Sequence, residues 1–159
     1  MTAYPYPEKG YISQMNLRFN RLYLINKNNE YIDLENNIIY FNYGLGIIFS
    51  TREYYNKIID IFFKAYFNKD ICFENIIKKE KNKYYYLISC INSEDFKIED
   101  FPTLFLFKEE FKYIFELNYK DLFEEDSGIY NFLVVYFPFA DDNFELGKPF
   151  LKKYKITYN

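Results

Sequence analysis

Ile38-Ile39-Tyr40-Phe41-Asn42-Tyr43-Gly44-Leu45-Gly46-Ile47-Ile48 is the stretch on which the fold turns. β-Branched and aromatic side chains crowd its first half, which predicts a strand over Ile38 to Asn42. Gly44 fits a turn that uses glycine's backbone freedom, and apolar chain resumes at Ile47. The loop at the centre carries Asn42, Tyr43, Gly44 and Leu45, with no carboxylate among them.

Outward from this loop, the same signals predict strands near Tyr11 to Ile25, Tyr31 to Leu34, Tyr84 to Ser89, Leu104 to Phe107, Tyr113 to Leu117, Tyr130 to Phe137 and Lys155 to Tyr158. One segment breaks the pattern. From Thr51 to Tyr66, the residues Tyr55, Ile58, Ile59, Phe62, Phe63 and Tyr66 recur at three- and four-residue steps. They form the apolar stripe of an amphipathic helix with Thr51 as N-cap, to be packed on a sheet or, alternatively, offered to a partner. A second short helix is expected from Pro149 to Tyr154, where proline suits the first turn.

Composition points the same way. In 159 residues, 24% are aromatic, with 19 Tyr and 19 Phe, and half are apolar, enough for a sizeable core. Tyr, Phe and Ile favour pleated, half-buried surfaces, so the chain is expected to be mainly β with one or two short helices, folded as a single domain over residues 1–159. There is no internal repeat or linker. The basic turn Lys78-Lys79-Glu80-Lys81-Asn82-Lys83 is expected to be a solvated loop tip.

A formal net charge of -3, with both signs interspersed, supplies no field for steering onto nucleic acid. No run approaches the roughly 20 apolar residues needed to cross a bilayer, and Met1 to Gly10 has neither a basic nor an apolar leader region. The chain contains no His, which removes Ser-His and Cys-His catalysis and most transition-metal sites. Any hydrolase here must use carboxylates, and no cofactor is expected. Cys72 and Cys90 are read as either free core thiols or one disulfide.

Several segments, taken in order, resemble the C-terminal lobe of the pepsin-like aspartic peptidases (peptidase family A1). Pro7-Glu8-Lys9-Gly10-Tyr11-Ile12-Ser13-Gln14-Met15 is similar to the crossing into the family's second lobe. Ile39 to Gly44 resembles the strand and turn that carry the second catalytic aspartate, followed by Ile47-Ile48 and the helix with Tyr54-Tyr55. Cys90, a polar spacer and Phe101-Pro102-Thr103-Leu104-Phe105-Leu106 resemble the run into a hairpin, and Phe115-Glu116-Leu117 with Asp121-Leu122 the hairpin strand and turn. The end matches best. Phe144-Glu145-Leu146-Gly147-Lys148-Pro149-Phe150-Leu151-Lys152-Lys153-Tyr154 with Ile156 to Asn159 resembles the closing Leu-Gly segment, short helix and last strand.

The resemblance implies one lobe of a bilobal acid-protease fold, without its N-terminal lobe, and a disulfide between Cys72 and Cys90 in an oxidising compartment. It also implies a chemistry that the residues do not sustain. Aspartic peptidases need two carboxylates that share a proton, one activating water and the other polarising the scissile carbonyl. Here Asn42, Tyr43, Gly44 and Leu45 stand at the Asp-Thr-Gly-Thr position, so no catalytic residue is intact. Gly46 follows where Ser is common, and Glu145 replaces an apolar residue in the segment packed beneath the loop. Asp60, Glu124-Glu125-Asp126 and Asp141-Asp142 are read as surface charges on the helix or in turns.

The expected function is therefore a catalytically silent lobe that binds an extended peptide or a protein partner: an N-terminal lobe, another protein or a second copy. The alternatives are part of an active acid endopeptidase completed by another lobe, or a structural subunit of a larger assembly. The family's secreted, vacuolar or lysosomal location is implied only for a longer precursor.

Overall fold

The computed structural model describes residues 2–4, 14–18, 21–25, 31–35, 38–42, 44–79, 82–108, 113–139 and 143–154, with backbone alone given up to residue 38 and at residues 108 and 113. The predicted helix forms where the stripe lies. Arg52–Ile58 is helix α1, followed by a π-helical turn, Ile59–Phe63, and by helix α2, Lys64–Phe67. Thr51 Oγ1 accepts the Tyr54 N–H, the capping role expected of it. The π turn has a cause in the side chains. Tyr54, Ile58 and Phe63 are fully buried at steps of four and then five residues, and the five-residue step needs one extra residue in the turn. Tyr54, outside the predicted stripe, packs edge-on against Phe144 with ring centroids 4.9 Å apart.

The protein is mainly β. The strands are β1 Thr2–Tyr4, β2 Gln14–Arg18, β3 Arg21–Ile25, β4 Tyr31–Glu35, β5 Ile38–Phe41, β6 Ile48–Ser50 and β7 Cys72–Lys78. They continue as β8 Tyr84–Ile91, β9 Thr103–Lys108, β10 Tyr113–Leu117, β11 Phe123–Asp126, β12 Ile129–Phe132, β13 Val134–Tyr136 and β14 Phe144–Leu146. Helix α3 is Tyr119–Leu122 and α4 is Lys148–Lys153, with Pro149 in its first turn. Among the described residues, one sheet runs β1-β2-β5-β14-β6-β13-β8-β12-β11 with β7 also on β8, and a second runs β10-β9-β3-β4.

Two predicted strands are in fact two elements each. Tyr11 to Ile25 holds β2 and β3, which belong to different sheets. Tyr130 to Phe137 breaks at Leu133: both halves lie against β8, but on the other side β12 pairs with β11 whereas β13 runs parallel with β6. Leu133 joins both regions by donating its N–H to Leu122 O at 2.8 Å and accepting from Ile48 N at 2.8 Å. Glu124, Glu125 and Asp126 lie on edge strand β11, not in a turn; all three are exposed, and charge suits a strand edge. The predicted strand Lys155 to Tyr158, the opening segment Pro7 to Ser13, Asp141-Asp142 and Ile156 to Asn159 lie outside the described residues.

Aromatic rings fill the core. Phe63 has no exposed surface and lies 5.1 to 6.4 Å, centroid to centroid, from the rings of Phe62, Phe132, Phe101, Phe67 and Phe123. A second group, Phe41, Phe115, Phe150 and Tyr154, seats α4 against β5 and β10. There the Tyr154 hydroxyl accepts from Glu116 N at 2.8 Å and donates to Glu116 O at 3.0 Å. It thereby closes backbone groups on the edge of the second sheet. The tip of the β7–β8 hairpin is less plain than expected: Lys79, though exposed, sits 5.6 Å from the ring centroids of both Phe49 and Phe137.

Cys72 and Cys90 face each other on β7 and β8, with Cα atoms 4.0 Å apart, and form a disulfide. The bond spans a sequence separation of 18. Closing a loop of that size restricts the unfolded chain and contributes about 3 kcal/mol in the chain-entropy account. Replacing both cysteines by Ser is expected to lower the unfolding free energy by about that amount, read by urea titration of oxidised protein. Equal midpoints for the two proteins would contradict this.

Candidate functional site

Asn42 stands at the end of β5, and the loop from Asn42 to Ile47 returns the chain into β6. The two strands do not pair with each other. β14 is threaded between them, parallel to β5 through Phe144↔Ile39, Glu145↔Tyr40 and Leu146↔Phe41, and antiparallel to β6 through Glu145↔Phe49. A strand 103 residues further along the chain therefore holds it open from beneath.

Backbone bonds fix the loop onto that strand. Asn42 N donates to Leu146 O at 3.0 Å, and Lys148 N donates to Leu45 O at 2.7 Å. Gly147 passes so close that an added Cβ would lie 2.1 Å from Ile47 O and 2.6 Å from Leu45 O. Here, and not at Gly44, the site demands glycine. Gly44 has no left-handed φ, and a Cβ there would meet only Asn42 Oδ1 at 3.4 Å, an ordinary contact. The loop's freedom therefore comes from the missing side chain beneath it.

The Asn42 side chain is engaged at both ends. Its Oδ1 accepts the Gly44 N–H at 3.0 Å, while its Nδ2 donates to Glu145 Oε2 at 3.2 Å. Only this orientation of the amide gives an acceptor to an N–H and a donor to a carboxylate. Both side chains are half-buried, so the pair is reachable from solvent. Leu45 is half-buried and Gly44 and Gly46 are exposed, whereas Tyr43 lies outside the described residues.

The structure brings together Asn42, Gly44, Leu45 and Glu145, and leaves the other acidic candidates elsewhere. Asp60 is exposed and lies 3.6 Å from Lys64, one helical turn away. β11, with Glu124 to Asp126, ends the sheet order far from β5. Sequence reading saw Glu145 only as a departure in the packing beneath the loop. Its pairing with a residue 103 positions away has no local signal. β14 is too short to show alternation, and only the tandem Leu146-Gly147 marks it.

Other polar side chains join neighbouring elements. Tyr55 donates to Glu74 Oε2 at 2.9 Å, and burial first, then the Glu74 charge and hydrogen bond, hold the phenol above its ordinary range, so it stays a donor. Ser89 bridges strands by accepting from Asn75 Nδ2 at 2.9 Å and donating to Asn131 Oδ1 at 2.7 Å. Among the described residues, no group of three or more His, Cys, Asp or Glu side chains is placed to hold a metal, and no helix is long and apolar enough to cross a membrane.

Fold and site together define a mainly-β domain organised around a strand-threaded loop that carries an amide–carboxylate pair. No family model matches the chain, and no curated protein matches it in sequence.

Proposed function

We propose that this chain is a pepsin-like C-terminal lobe whose catalytic loop has lost its chemistry and kept its frame, and that it acts by binding an extended peptide or a protein partner. The observation that carries the reading is the threading of β14 between β5 and β6, with Gly147 pressed against the loop. The resemblance implies a closing Leu-Gly segment packed beneath the loop at the aspartate position, and Leu146-Gly147 in that place supports the reading. At that position stands an amide, which cannot exchange the proton that peptide hydrolysis requires. Among the described residues, the carboxylate beside it is Glu145, which is hydrogen-bonded to the amide itself.

Ile76, at 59% exposure, and Phe139, at 48%, are exposed apolar side chains of the kind a partner covers. Sedimentation at micromolar concentration is expected to show self-association, or a larger complex when the chain is recovered from cells. A monomer at all concentrations, recovered free, would contradict the binding role.

A further inference from the structure

We propose that Asn42 and Glu145 constitute a masked acid–base site: the amide occupies the place of a protonated carboxyl, so the single change Asn42→Asp installs a proton-sharing carboxyl pair within one chain. This rests on the geometry of the loop and is independent of the pepsin-like reading. An amide NH₂ facing a carboxylate oxygen at 3.2 Å has the donor-to-acceptor arrangement of a carboxylic acid facing a carboxylate. The second oxygen is already provided for, because the Gly44 N–H binds Oδ1 at 3.0 Å and would bind an aspartate oxygen in the same way. The frame is rigid on both sides: Asn42 N is tied to Leu146 O, and Glu145 sits one residue earlier on the same strand.

Hydrolysis of the amide gives the same product. Water adds at the side-chain carbonyl, the C–N bond breaks, ammonia leaves, and a carboxyl remains. Two carboxylates at this separation cannot both ionise freely, so the pair retains one shared proton above the ordinary carboxyl range. Among the described residues, the titratable side chain in register with Glu145 on β5 is Tyr40, and β6 opposes it with Phe49. Between the ordinary carboxyl range and that upper titration, the folded variant binds more protons than its unfolded chain. Its stability therefore falls as pH rises through this window and recovers on acidification.

The test is thermal unfolding of the wild-type protein, N42D and the double variant N42D/E145Q at about pH 7 and about pH 4. N42D is expected to melt roughly 5 °C below wild type at the higher pH and to close most of that gap at the lower. N42D/E145Q, with carboxyl and amide exchanged, is expected to recover most of the loss at the higher pH. An N42D variant that folds only in acid gives the same support. A gap that does not change with pH, failure of N42D to fold at either pH, or a double variant no more stable than N42D at about pH 7 would overturn the proposal.

Discussion

Gly147→Ala is expected to be among the most damaging single substitutions in the chain, with a loss of about 4 kcal/mol and a fall in melting temperature of roughly 10 °C. The new methyl would lie 2.1 Å from Ile47 O, 2.6 Å from Leu45 O and 2.9 Å from Leu45 Cβ. Two of these are backbone atoms and cannot swing aside. Leu45 O is held at 2.7 Å by Lys148 N, and the next residue after Ile47 is tied to Leu133. Relieving the clash means lifting the loop off β14 and giving up those bonds. By contrast, Gly46→Ala meets nothing within 4 Å and is expected to change stability by less than about 0.5 kcal/mol. Similar melting temperatures for the two variants would show that the loop is not seated as described.

Phe63→Ala is the second large effect, at about 4 kcal/mol. The ring is fully buried at the π turn, among five other phenylalanines, and truncation leaves a cavity whose walls are rings fixed by their own neighbours. Such walls collapse poorly, so the cavity cost adds to the lost burial. Phe63→Leu keeps most of the volume and is expected to cost less than half as much. Urea titration of the three proteins decides it; a Phe63→Ala protein within about 1 kcal/mol of wild type would place the ring outside the core.

How much of this was legible in the sequence depended on whether local pattern or distant pairing set the structure. The stripe from Thr51 to Tyr66 carried its own period and cap, so the helix was visible; the π turn was hidden in a five-residue step, Ile58 to Phe63, which a three- and four-residue template passes over. β4, β5, β8, β9 and β10 hold enough β-branched and aromatic residues to declare themselves. β1, β6 and β14 have three residues each, too few for alternation, and exist because neighbouring strands accept their backbone. β11 is Phe-Glu-Glu-Asp, a poor strand by propensity, stabilised by register with β12. The break at Leu133 could not be read either, since nothing in Tyr130 to Phe137 says that its two halves, both paired with β8, have different strands on their other side.

The site divides in the same way. That the loop at Asn42 to Leu45 has no carboxylate was plain, and the disulfide between Cys72 and Cys90 agrees with what the resemblance implied. That Glu145 would face Asn42 required the threading of β14, a contact made across most of the chain. The glycine that matters was likewise displaced from Gly44, where turn logic put it, to Gly147, where strand and loop meet.

The proposed loss of hydrolytic chemistry at the Asn42 loop is decided by incubating the purified chain with a denatured protein substrate between about pH 3 and 5. The expected result is no cleavage above a blank without the chain. Cleavage that is blocked by a transition-state-mimicking inhibitor of aspartic peptidases and lost in Asn42→Ala would contradict it.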